Sequence, residues 1–157
     1  MWKSVLFLFL PTASFASQCE IASEMRVPNR SRTQCVWASI ETLARHNKVP
    51  QLYGITDTYK EKANIHHVEK VLKKKRVRYI MTLKGNTTLL KRYVREKKFG
   101  VAFGTNHKHM MTMVHIDDEC VKFIDSSSKE LEEKTWDLKT FNKAFDGWVI
   151  VILGKEK

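Results

Sequence analysis

The sequence predicts an α+β fold, on three observations. Three helical stretches, at 35–47, 66–75 and 86–98, fall between Cys35 and Lys98, with one strand among them. Short apolar runs rich in β-formers, separated by polar turns, fill most of the chain after Lys98. Helices first and then a mostly antiparallel sheet is the α+β order. The 157 residues fit one domain with a core of its own. A hydrophobic content of 43% beside 29% charged residues excludes a disordered chain. Six glycines and three prolines exclude a collagen-like or linker-dominated one, and no internal repeat is visible.

The chain begins with "MWKSVLFLFLPTASFA", which carries one lysine, a short apolar run from Val5 to Leu10, a proline and then small residues at Ser14 and Ala16. That is the layout of a secretory signal peptide, and the run is too short for the roughly 20 residues of a membrane span. The expected division is a signal at 1–16 and a mature domain at 17–157, secreted or periplasmic, with no stable membrane insertion once the signal is removed.

From Cys35 to about Asn47, Val36, Ile40, Leu43 and Ala44 mark a helix with one buried stripe and Cys35 in its first turn. "HHVEKVLKKK" (66–75) reads as a second helix, which the stretch after Asp57 could begin, and "VRYIMTL" (77–83) as a strand. "NTTLLKRYVREKK" (86–98) is helical, capped by Asn86 or Thr87. "FGVAFG" (99–104), "HMMTMVHI" (109–116) and "CVKFID" (120–125) are strands, the last two joined by a tight hairpin at "DDE". "WDLKTFNKAF" (136–145) suggests a short helix and "GWVIVIL" (147–153) a final buried strand. Trp37, Trp136 and Trp148 are expected in the core, as are Met110, Met111 and Met113, which could also line an apolar groove.

The formal charge of +11 is concentrated in "KVLKKKRVR" (70–78) and "KRYVREKK" (91–98). These are expected to be the solvated faces of two surface helices. No nucleic-acid-binding motif accompanies them, so no specific nucleic-acid partner is expected.

Three cysteines remain after the presumed signal: Cys19, Cys35 and Cys120. In an oxidising compartment an odd number leaves one thiol over or pairs it between chains. If Cys35 is the reactive one, Cys19 and Cys120 are the disulfide candidates.

A thiol at a helix N-terminus is acidified by the positive end of the helix dipole, and further by a neighbouring imidazole. The sequence offers His109 at the opening of one strand and Asp125 at the end of the next. Because those strands form a hairpin, both side chains can lie together at one end of a sheet. A thiolate, a proton-shuttling histidine and a group that fixes the imidazole are the parts of a cysteine hydrolase.

Here the stretches resemble a known family. "TQCVWASIE" is similar to the nucleophile helix of the papain-like cysteine peptidases, and "HMMTMVHIDDECVKFIDSSS" to the second half of their site. The order Cys, His, Asp is theirs. The compact size and the "WDLKTFNKAFDGWVIVIL" ending most resemble the small bacterial branch that includes the double-glycine leader peptidases. The likeness runs from about Pro28 to Leu153. It implies a nucleophile helix and further helices packed on the sheet, and Cys35 as nucleophile, His109 as general base and Asp125 as orienting group. It also implies a peptide or protein substrate, cleavage of peptide or amide bonds and a monomer, with no metal or organic cofactor. The family's oxyanion glutamine, six residues before the cysteine, is replaced by Asn29, which can donate the same amide hydrogen bond from a shorter arm. Gln34 is the alternative.

Other readings stay open at this level. Asp125 could simply cap the turn of "DSSS". "HKH" (107–109), with His115 or Asp117, could bind a metal. The same triad could transfer its acyl group to an amine, as transglutaminase-like enzymes do, or the domain could be inactive and only bind peptide.

Overall fold

The computed structural model describes residues 16–106 and 108–155. The segment read as a signal peptide lies outside the described residues except for Ala16, and so does His107. The described residues form five α-helices and a six-stranded sheet. In chain order these are α1 (Cys35–His46), α2 (Ile55–Thr58), α3 (Ile65–Lys74), β1 (Val77–Thr82), α4 (Thr87–Lys91), β2 (Val101–Thr105), β3 (His109–Ile116), β4 (Cys120–Ile124), β5 (Glu133–Asp137), α5 (Leu138–Ala144) and β6 (Phe145–Lys155).

Every pairing in the sheet is antiparallel, in the order β1-β6-β2-β3-β4-β5. Each face of the sheet covers a separate core. On one face α1 and α3 bury Trp37, Ile40, Leu43 and Leu72 against Met110, Val114 and Ile150. On the other, α4 and α5 bury Leu90 and Phe141 against Phe103, Met113 and Val149. The methionines are therefore core on both faces, Met110 on one and Met111 and Met113 on the other.

The capping expectation holds at Asn86, whose side chain accepts from Leu89 N–H at 2.9 Å, and Asn64 does the same for α3 through His67 N–H. The first basic run lies as a solvated face: Lys70 and Lys73 to Arg76 are exposed while Val68, Val71 and Leu72 are buried.

Four expectations need correction. First, α1 is not buried along one stripe; every residue from Cys35 to Ala44 is buried. Its polar positions look solvated in the sequence because they are occupied by other backbone. Thr42 Oγ1 accepts from Val27 N–H at 2.9 Å, and the Glu41 carboxylate accepts from Gly54 and Thr56 N–H, each at 3.0 Å. Second, the segment from Glu133 to Asp137 is an edge strand preceding a shorter helix. Its charged alternation hides a strand that has only one partner, β4. Third, the stretch after Asp57 does not begin the second helix: α2 is a separate turn and α3 starts at Ile65, while the segment read as helical at 86–98 is α4 continued by a π-helical turn at Arg92–Glu96. Fourth, Trp37 is fully buried, but Trp136 and Trp148 are only partly so.

Candidate active site

Cys35 is the first residue of α1. The residue before it, Gln34, does not cap the helix: its Nε2 donates to Thr56 O at 2.6 Å, and its Oε1 accepts from Ser31 Oγ. The first turn of α1 therefore has no cap from Gln34, and its N–H groups face the thiol instead, with Val36 N–H bonding the Cys35 sulfur. Gln34 is committed to holding α2 against α1, so its amide is spoken for.

His109 opens β3, and Asp125 directly follows β4. The β3–β4 register, with Thr112 opposite Ile124, brings the two to the same end of the hairpin. His109 Nε2 lies 2.8 Å from Asp125 Oδ1. The imidazole also hydrogen-bonds the Cys35 thiol, and with Nε2 engaged, Nδ1 is the nitrogen left for it. Asp125 Oδ1 in addition accepts from Ser127 N–H at 2.9 Å and Ser127 Oγ at 2.6 Å, with Lys134 Nζ 3.6 Å from Oδ2. The "DSSS" turn and the imidazole contact are therefore both real, and the turn is what fixes the carboxylate.

The electrostatics arise from these bonds. Burial would push the Cys35 thiol up. The His109 hydrogen bond, backbone bonds with Met110 and Val36 and the imidazolium charge outweigh it, and the thiol is more acidic than usual. His109 is raised to about 9 by the hydrogen bond to Asp125, then that to Cys35, against the opposing effect of burial. For Asp125 burial is the largest single influence and opposes ionisation, yet the His109 and Ser127 bonds hold it well below the usual carboxylate range. This is the pattern of a thiolate–imidazolium pair backed by a carboxylate.

Asn29 lines an open cavity of about 520 Å³ together with His109 and Ser127. Its backbone N–H donates to Ser126 O at 2.7 Å, which ties this loop to the end of β4. Its Oδ1 accepts from Ser31 N–H at 3.1 Å, so Nδ2 is the donor left over. Cys35 itself is 4% exposed and lines a second cavity of about 220 Å³, with Val36, Ile65, Leu83 and Trp148. Arg32 and Lys108 line both cavities. Reading the sequence alone missed these two, because isolated basic residues in a loop carry no pattern.

The remaining cysteines and histidines lie elsewhere. All three described thiols are free, and the candidate Cys19–Cys120 pair is not bridged. Cys19 Sγ is 3.4 Å from His46 Nε2, and burial pushes that thiol up to about 12. His115 bonds Asp117 at 2.8 Å at the hairpin turn, and these two with Cys120 form a group whose ligand atoms lie within 4.8 Å of one another. The register shift between Met113 and His115 breaks the alternation that would have put His115 on the face of His109. The metal reading that joined these histidines through "HKH" therefore finds His109 and His115 in two separate clusters.

Compared with solved structures, the chain is similar to a double glycine motif protease from an AMS/PCAT transporter, crystallised in complex with the leader peptide. The TM-score is 0.59 at 15% identity, over 80% of this chain and 88% of that one. No family model and no curated protein matches the chain. At that identity the likeness is one of fold. Among the described residues no helix is long and apolar enough to cross a membrane. With its buried helix leading from Cys35 onto an antiparallel sheet whose hairpin presents His109 and Asp125, the chain has the α+β fold of a papain-like peptidase.

Proposed function

We propose that the chain is a cysteine hydrolase of peptide or amide bonds, of the double-glycine leader peptidase type. Cys35 is the nucleophile, His109 the general base and acid, and Asp125 the group that orients the imidazole. The observation that carries this reading is His109 held between the Cys35 thiol and the Asp125 carboxylate, with the thiol acidified and the imidazole made more basic. The likeness in fold to a protease supports it, and that protein's complex with a leader peptide supports a peptide as the substrate.

The thiolate attacks the scissile carbonyl carbon, and the carbonyl oxygen takes the negative charge. The Cys35 backbone N–H, at the positive end of α1, and the Asn29 amide stabilise that oxyanion. His109 gives its proton to the leaving amine, and the carbonyl reforms as a thioester on Cys35. His109, now neutral, takes a proton from water as the water attacks the thioester. The acid is released, and the proton returns to the pair. Asp125 stays ionised throughout and holds the tautomer in which Nε2 carries a proton and Nδ1 faces sulfur.

The test is incubation of the protein with a mixed peptide library, followed by mass spectrometry of the products. Cleavage by the parent and none by Cys35→Ala is the expected result; no cleavage of any peptide by a parent with a reactive Cys35 would refute it. We further propose that the chain is exported, with cleavage after Ala16. N-terminal sequencing of the protein from its native compartment should begin at Ser17, and a retained Met1 would exclude it.

A further inference from the structure

The loop before α1 and the residue before β3 carry basic groups that the hydrolytic chemistry does not use. Arg30 is paired with Asp57 at 2.9 Å, but Arg32 and Lys108 form no ion pair among the described residues. Both are exposed, and both line the cavity beside His109 as well as the cavity that holds Cys35. They stand on two different parts of the chain. Arg32 lies in the loop leading to Cys35, and Lys108 sits at φ +57°, its N–H donating to Thr105 O at 2.8 Å. The tight turn at Lys108 holds it next to His109, so each cation belongs to the segment that carries one member of the thiol–imidazole pair. Lys62 adds a third cation at the smaller cavity. The carboxylate lining that cavity is Asp146, which is engaged as acceptor of Trp148 N–H at 2.9 Å.

Two unpaired cations beside a nucleophile make a cleft that favours negative charge on whatever spans it. The occupant is a chain that must also suit an apolar wall. Leu83, 55% exposed, is one of two large hydrophobic residues exposed among those described, and it lines the Cys35 cavity with Val36 and Trp148. At about 220 Å³ this cavity is below the roughly 300 Å³ of a whole small-molecule site and suits a single side chain. A polynucleotide would instead need a continuous basic groove with stacking aromatics. We infer that the cleft is built for an acidic peptide, with carboxylate side chains flanking the scissile bond held by Arg32 and Lys108 and an apolar side chain seated beside Leu83. The inference rests on Cys35 as the group that faces substrate.

The experiment is alkylation of Cys35 in the full chain by iodoacetate, an anion, and by neutral iodoacetamide, each site monitored by mass spectrometry. The readout is the ratio of the two rates, in which changes in thiolate fraction cancel. In Arg32→Gln/Lys108→Gln the ratio should fall about fivefold, as expected for loss of two exposed attractions. In the parent it should fall with added salt as screening shortens the reach of both charges. An unchanged ratio in the double variant would overturn the inference. In the peptide library, cleaved members should be enriched in Asp and Glu around the cut, and enrichment of neutral or basic ones would also overturn it. Anion preference at Cys35 without cleavage of any peptide would refute hydrolysis while supporting the acidic cleft. Protection of Cys35 by a short single-stranded RNA, but not by a glutamate-rich peptide, would refute the peptide as occupant.

Discussion

His109 has bonds in two directions, and its properties should change with either partner. In His109→Ala the Cys35 thiol loses its largest acidifying contact. Its reaction with iodoacetamide at pH 6 should drop sharply, as the thiolate fraction falls when the thiol loses that contact, while Cys120 should react as before. Asp125→Asn removes the carboxylate that most raises His109, so the alkaline limb of the Cys35 reaction with iodoacetate, an anion the imidazolium attracts, should move down from about 9. A pH profile of alkylation reads both, and an unmoved limb would mean that Asp125 only shapes its turn. These residues were legible in the sequence because each sits at an element boundary that periodicity locates: Cys35 at a helix start, His109 at a strand start, Asp125 at a strand end. Gln34 was harder. Whether an amide beside the thiol turns toward substrate or toward a neighbouring backbone depends on α2, which a four-residue helix barely announces.

At the level of elements, α1 is held by groups that a hydrophobicity pattern reads as solvent-facing. Glu41 binds two backbone N–H groups of the α2 turn and takes Arg45 at 2.6 Å. Glu41→Ala leaves the buried Thr56 N–H and the half-buried Gly54 N–H without an acceptor and should cost roughly 2–4 kcal/mol of stability, measured by urea unfolding. A loss below about 1 kcal/mol would mean water replaces the carboxylate. The bend at the start of β6 has a different constraint. Gly147 sits at φ +89°, and an added Cβ would lie 2.7 Å from Leu83 O. Gly147→Ala should therefore cost about 1–3 kcal/mol and disturb the Leu83 side of the Cys35 cavity. Strands β1, β3 and β4 were legible because their apolar residues alternate or cluster. Strand β5 was not, since "EKTWD" has one apolar residue and an edge strand needs no more.

For the whole molecule, the pH dependence of stability is set by which groups shift and in which direction. Asp117 is held at about 2 against an ordinary 3.8; burial opposes this, but bonds from Cys120 N–H and His115 outweigh it. Asp125 and Glu41 are lowered as well. Depressed carboxylates stabilise the fold above their unfolded pKa, and that contribution is lost as pH falls through the folded values. Cys19, raised to about 12 from 9.0, acts at the other end: its contribution is complete below 9.0 and is lost as pH rises toward 12. His109, raised from 6.5 to about 9, favours the fold less as pH climbs through that window. Cys35, lowered from 9.0, favours it more as pH rises toward 9.0 and opposes part of that loss. The urea midpoint should thus be highest between about pH 4.5 and 6.5, fall at lower pH as the carboxylates protonate, and fall at higher pH as His109 and then Cys19 titrate. A midpoint that rises between about pH 6.5 and 9 would mean that His109 is not held protonated in the fold. The fold class and the hairpin logic were visible in the chain because they depend on local pattern. The division into two cores on opposite faces was not, because it depends on strand order, which places β6 between β1 and β2.

The thiol stands on a helix and the imidazole on a hairpin, so sulfur and nitrogen meet only across the seam where α1 docks on β3. Before that docking, Cys35 is an ordinary protonated thiol, no more nucleophilic than Cys19 or Cys120. On the proposed reading, a nascent or unfolded chain therefore lacks the acidified thiol, and its reactivity is expected only after that long-range packing step. Labelling of Cys35 during refolding would time the step directly.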